Sequence, residues 1–170
     1  MSPVGEFAIR VRRGRGGGYD LDLPAGEREL LRSLPGQLRE LFETAPGDPA
    51  VGRLFPPAYE DDPQKNAEYE ELTRNDLVSG RLGALRVMEE TAGAEHLEEE
   101  QLAAWLGAVN DLRLVLGTRL DVTEETYERP PVEKGPDAEA FAVFVYLGML
   151  EEQIVEALAT SLDQPGPTSE

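Results

Sequence analysis

The chain contains no cysteine. That removes disulfides, thiolate nucleophiles, iron–sulfur ligation and thiol redox switching from the chemistry these residues can carry. Histidine is nearly absent too: His96 stands alone, and the residue three before it is Gly93. The paired Glu-x-x-His motifs of a dinuclear carboxylate bundle are therefore excluded. Positive charge is scarce, with 16 Lys and Arg against 34 Asp and Glu, a formal net charge of -18. Nucleic-acid affinity rests on Lys and Arg displacing counterions from the backbone, so direct nucleic-acid binding is disfavoured without a local basic patch. Long apolar runs are missing as well. The greasiest segment, "AEAFAVFVYLGML", falls short of the roughly 20 apolar residues that span a bilayer. It runs directly into Glu151 and Glu152 and reads as a buried helix. "MSPVGEFAIR" lacks a basic region followed by an apolar run, so it does not read as a secretory signal.

What is present suits one compact domain. A chain of 170 residues, 40% of them apolar, should bury about two-thirds of its extended surface around a single core. We expect that domain over residues 1–163, with a β-hairpin at 6–23, helices from 24 to 163 and a disordered tail at 164–170. In "GEFAIRVRRGRGGGYDLDLP", Phe7, Ile9 and Val11 alternate with Ala8, Arg10 and Arg12, and Tyr19, Leu21 and Leu23 alternate with Asp20 and Asp22. The glycines between supply the positive φ a turn requires, so strands are predicted at about 6–12 and 19–23. Two strands alone are marginal in water; the ribbon must lie on helices or find a third strand.

After Leu23 the apolar period lengthens. Leu30, Leu31, Leu34, Leu38, Leu41 and Phe42 recur at helical spacing, with Pro35–Gly36 expected to split or kink the helix. A Pro-rich loop follows, holding one short turn over 49–54. Longer helices are predicted from about 63 to 92, 98 to 120 and 137 to 162. In the middle one, Leu102, Trp105, Leu106, Val109, Leu112, Leu116 and Leu120 form an unbroken stripe that demands burial.

Three groups of residues invite a chemical reading. Glu60, Asp61, Asp62, Glu68, Glu70 and Glu71 form a carboxylate knot in "YEDDPQKNAEYE". Calcium loops need closely spaced oxygens and a glycine for the sharp turn, and neither is there. Asp62 before Pro63 is better explained as a helix cap followed by a helix-starting proline. The second group lies on helices: Tyr69, Leu72, Thr73, Asp76, Gly80, Gly83 and Val87 share a narrow face, and Leu106, Asn110, Arg113 and Gly117 share another. Asp76 and Arg113 could meet across the helix pair, with Arg81 and Arg119 as competing partners. The third is "RVRRGRGGG", where Arg10, Arg12, Arg13 and Arg15 crowd a hairpin tip. Such arginines either contact a partner or keep a sheet edge from pairing. No interleaved aromatic offers base stacking. No serine has an activating neighbour, and "GRGGG" lacks the Gly-Lys-Ser/Thr ending and following helix of a phosphate loop.

The ordered blocks "RLFPPAYEDDP", "AEYEELTRNDLVSGR", "WLGAVNDLRLVLGTRLDVTEE" and "YLGMLEEQIVEAL", behind a basic hairpin, resemble a family of uncharacterised actinobacterial proteins. That family includes an actinomycete oxidative-stress regulator, AosR, and is often encoded beside the Clp protease adaptor. "NDLRLVLGTRL" is the most specific part. The resemblance implies a cytoplasmic regulator that acts through protein partners, such as a sigma factor or the transcription machinery. It carries over to Tyr59, Asp76, Arg81, Asn110, Arg113 and Arg119. Any thiol sensing in relatives cannot transfer to a chain without cysteine.

The combined expectation is a mainly α, single-domain helical bundle with an N-terminal β-hairpin. It has no catalytic residues, cofactor, metal or membrane contact, and its partner-binding residues are Arg10, Arg12, Arg13, Arg15, Tyr59, Asp76, Arg81, Asn110, Arg113 and Arg119. The alternative is a carboxylate-based metal or small-molecule binding protein. A homodimer through the hairpin edge is a further expectation.

Overall fold

The structure is a computed structural model that describes residues 8–54, 63–120 and 136–162; for 63–75, 136–137 and 161–162 it describes the backbone. In chain order the described elements are β1 (Val11–Arg13), β2 (Tyr19–Leu21), α1 (Ala25–Thr44), α2 (Pro49–Gly52), α3 (Pro63–Thr91), β3 (His96–Leu97), α4 (Glu99–Arg119) and α5 (Pro136–Leu162). The mainly helical architecture with an N-terminal hairpin is as expected, and the helix limits agree closely. Among the described residues no helix is long and apolar enough to cross a membrane.

The hairpin is shorter than the alternation suggested. β1 and β2 pair antiparallel with Val11 opposite Leu21 and Arg13 opposite Tyr19, and Gly17 and Gly18 take φ of 99° and 65° in the turn. Ile9, expected to face inward with Val11, is 52% exposed because it precedes the paired segment. Phe7 lies outside the described residues. The ribbon satisfies both requirements of a marginal hairpin. Val11, Tyr19 and Leu21 bury their side chains in the main core, and β3 adds a third antiparallel strand with Tyr19 opposite Leu97 and Asp20 opposite His96. Gly18 permits this pairing to close. A Cβ there would lie 2.4 Å from His96 Nε2 and 2.8 Å from the Leu97 carbonyl oxygen.

Pro35 does not split α1, which continues from Ala25 to Thr44. A proline inside a helix forfeits one backbone bond. Here its ring is buried between Leu31 and Leu38 on the packed face, so tertiary contact holds the helix through it. At the start of α1, Arg28 donates to the carbonyls of Leu23 (3.0 Å), Ala92 (3.1 Å) and Ala94 (2.7 Å). This guanidinium satisfies carbonyls beyond the C-terminal end of α3, where a cation is favoured. It thereby fixes the chain that leads into β3.

α2 is the predicted short turn, capped by Asp48, whose side chain accepts from the Ala50 N–H at 2.8 Å. α3 begins at Pro63, where a helix-starting proline was expected, though Asp62 itself lies outside the described residues. α4 is capped by Glu98, whose N–H donates to Gln101 Oε1 at 2.8 Å. It is the central element, packed against both α3 and α5. Leu102, Trp105, Val109 and Leu112 of its expected stripe are buried. Trp105 also uses its polar handle, donating to Thr91 Oγ1 at 2.7 Å.

Candidate functional site

α4 carries charge on two opposite sides, and the two sides differ. Facing α3, Asp111 is only 2% exposed, and Ala108, Asp111 and Val115 fall on one buried line at helical spacing. Its Oδ1 accepts from Arg81 Nη1, and Arg81 Nη2 also donates to the Leu54 carbonyl at 3.0 Å. Burial pushes the Asp111 carboxyl above its ordinary range, opposed by the Arg81 pair and by a hydrogen bond from Asn110. Such a pair holds geometry and gives neither a nucleophile nor a base placed near a pocket.

Facing α5, Arg113 lies with its guanidinium carbon 5.2 Å from the centre of the buried Phe144 ring, and its Nη1 donates to Glu151 Oε2 at 3.2 Å. Two glycines make room for this arrangement. A Cβ on Gly117 of α4 would lie 3.1 Å from Phe144 Cε2, and one on Gly148 of α5 would lie 3.2 Å from Arg113 Nε. The stacked pair forms a ridge between two grooves. One, of about 770 Å³, includes Val145, Met149, Glu152, Val155 and Glu156. The other, of about 560 Å³, includes Asn110, Leu114, Thr118 and Arg53. Leu114, Val145 and Val155 are 39%, 37% and 48% exposed, so apolar side chains line both grooves beside fixed charge.

Several expected juxtapositions are corrected. Asp76 does not meet Arg113: Asp76 is exposed, Arg81 pairs with Asp111, and Arg113 pairs with Glu151. The face of α3 carrying Asp76, Gly80 and Gly83 points to solvent, and a Cβ on either glycine would meet nothing within 4 Å. The packed line is instead Arg81, Leu85, Met88 and Ala92, displaced around the helix. Arg119 pairs at 3.5 Å with Asp48, linking the end of α4 to the cap of α2. Arg10 is not a loose hairpin charge, since its Nε and Nη2 grip the Glu27 carboxylate, each at 2.9 Å. Arg12, Arg13 and Arg15 are exposed as expected. The strip Leu106, Asn110, Arg113 and Gly117 does admit a close neighbour at its Arg113–Gly117 end, and that neighbour is α5. Tyr59, Glu60, Asp61 and Asp62 lie outside the described residues. Among the described residues no group of three or more His, Asp or Glu is arranged to hold a metal ion.

Reading the chain alone missed Asp111, Phe144, Gly148 and Glu151. Asp111 gave no signal, because it lies on the side of α4 away from the leucine stripe, on the line of Ala108 and Val115. Phe144 gave none, since any aromatic on an apolar helix reads as core. The Asp20–His96 contact, Oδ1 to Nδ1 at 2.9 Å, was also missed, because β3 is too short to show alternation.

Comparison with known proteins places the chain in a family. Residues 8–158 match the family model described as "Domain of unknown function (DUF2017)". The chain is 33% identical over 133 residues to proteins named "Oxidative stress regulator AosR" from Mycobacterium tuberculosis (strain ATCC 25618 / H37Rv) and Mycobacterium bovis. Each alignment covers 68% of this chain and 61% of the relative, so the chain spans somewhat under two-thirds of those proteins. No solved structure matches the chain. The Arg113 ridge, Gly117 and the α5 groove all fall within the matched span, and the chain belongs to the DUF2017 family, which includes the mycobacterial AosR proteins.

Proposed function

We propose that this chain is a non-enzymatic, stress-linked regulatory protein that works in the cytoplasm by binding a protein partner across the α4–α5 face. The transcription machinery, with a sigma factor as its specific form, is the proposed partner class. The observation that carries this reading is the Arg113–Phe144 ridge flanked by exposed Leu114, Val145 and Val155. An arginine held rigidly over a buried aromatic ring, among partly exposed aliphatic side chains, is a usual kind of interface anchor. The relatives' printed name, oxidative stress regulator, supports the regulatory class. The absence of cysteine means that a stress signal reaches this chain through its partner or through another group than a thiol.

The test is affinity capture from an actinobacterial lysate with wild-type chain and with Val145→Lys and Val155→Lys variants. Wild type is expected to retain transcription components that both variants lose while keeping the same thermal midpoint. Recovery of neither transcription nor proteolysis components, or equal recovery by the variants, would overturn the reading. Stoichiometric retention of a divalent ion through dialysis would favour the carboxylate metal-binding alternative instead.

A further inference from the structure

Among the described residues the outer edge of the three-stranded sheet has no strand partner, and it is chemically marked. Leu21 N–H donates toward the β3 side, to the Glu95 carbonyl at 2.8 Å, and Asp22 N–H donates toward β1, to the Arg10 carbonyl at 2.8 Å. Backbone groups alternate sides along an antiparallel strand. Arg12 therefore turns its N–H and C=O to β2, while Val11 and Arg13 turn theirs outward. These outward groups have no hydrogen-bond partner among the described residues.

Just ahead of β1, on the side of the chain that faces β2, a peptide-like group is already accepted. Gln153 of α5 takes the Arg10 N–H on Oε1 at 2.7 Å and donates from Nε2 to the Ala8 carbonyl at 3.3 Å. A carboxamide has the donor and acceptor of a peptide bond, and this one engages the C=O and N–H that flank Ile9. Beside it runs a groove of about 350 Å³ between β1 and α5, with Ile9, Arg12 and Arg13 on one wall and Glu156, Ala157 and Thr160 on the other.

We propose that this edge is a docking site for an acidic, extended segment of a partner protein, which adds to β1 as a further strand. Main-chain bonds to Val11 and Arg13 would supply affinity in such strand addition, with side-chain contacts setting specificity. Charge selects the occupant. Arg12, Arg13 and Arg15 are exposed and make no ion pair with a described residue, a concentrated positive edge on a chain of net charge -18. A second copy of the chain is disfavoured, because pairing two β1 edges would set these arginines against each other, and like charges across strands repel. The site adjoins the α4–α5 grooves but uses neither Arg113 nor Phe144.

The experiment measures fluorescence anisotropy of the full chain with a labelled peptide of about six residues alternating Val and Glu, the length of an ordinary strand. The controls are its Lys-for-Glu counterpart and a version N-methylated on alternate residues. Binding of the Val/Glu peptide is expected to weaken at least about tenfold on N-methylation, on Arg12→Ala with Arg13→Ala, and further on Arg13→Pro than on Arg13→Ala, since the proline removes an outward N–H as well as the charge and is tolerated at an edge. Val145→Lys should leave it unchanged, which separates this site from the α4–α5 face. No binding, equal binding of the N-methylated or lysine peptide, or tighter binding of single-stranded DNA would each overturn the proposal. Sedimentation showing a dimer that Arg13→Pro dissolves would overturn it in favour of self-pairing.

Discussion

Asp111 and Arg113 are two residues apart on α4, yet one belongs to the core and the other to the surface. Asp111 is sealed against α3, with Arg81 as its counter-charge. Arg113 lies over an aromatic ring toward α5, its side chain 39% exposed, and holds a partly exposed glutamate. A separation of two positions turns a helical residue through about 200°, which is enough to exchange one environment for the other. The same residue types therefore do different work. A buried pair cannot lose one partner without stranding a charge, whereas a surface pair contributes little to stability and remains available to a ligand.

The comparison breaks most sharply at Arg81. Arg81→Ala is expected to destabilise the chain by about 3–5 kcal/mol, the cost of leaving a buried carboxylate unpaired, as measured by urea denaturation. A double change, Arg81→Met with Asp111→Leu, should recover most of that loss; a double mutant no more stable than Arg81→Ala would show that the pair positions α3 by more than charge balance. Gly148→Ala should have a smaller effect, about 1 kcal/mol, by pressing a methyl against Arg113 Nε. It should also weaken partner capture by displacing the guanidinium from Phe144. Arg113→Ala itself is expected to cost under about 1 kcal/mol while abolishing capture; a large stability loss would place Arg113 with Asp111 as structural.

The smallest effect is a pH dependence outside α4. His96 sits above the ordinary imidazole value, chiefly because of its hydrogen bond to Asp20, with Glu98 also near. Arg12 is the cross-strand neighbour of Asp20 on β1 and shares the carboxylate's side of the sheet. Because the folded value is raised, the contribution of protonated His96 is fully present below about pH 6.5 and is lost as pH rises through the higher folded value. Thermal midpoints should fall slightly across that window, and His96→Gln should flatten the trend. A slope unchanged by the substitution would remove His96 from the account.

Much of the fold was legible because burial repeats at helical or strand spacing. The α4 stripe, the apolar α5 segment and the glycine turn each follow from local pattern. The α3 face was misassigned for an equally local reason. Asp76, Gly80, Gly83 and Val87 and the true packed line Arg81, Leu85, Met88 and Ala92 both recur every three or four residues, and small residues suggested close approach where the structure has solvent. Pro35 misled in the opposite sense, since intrinsic helix preference was outweighed by burial between two leucines. The two-residue strand β3 was unreadable because its pairing depends on Arg28 fixing the carbonyls before it, a contact spanning more than 60 positions.

By itself, then, the sequence determined the helical class, the hairpin turn, the missing thiol chemistry and the acidic surface, because composition and short-range periodicity act locally. The tertiary structure decided which charges met. Arg81 chose Asp111 over Asp76, Arg113 chose Glu151, and the edge of β1 was left without a strand partner among the described residues, beside an arginine cluster. Ion pairing and edge exposure depend on how helices are rotated and docked, and that rotation is set by the summed packing of the core.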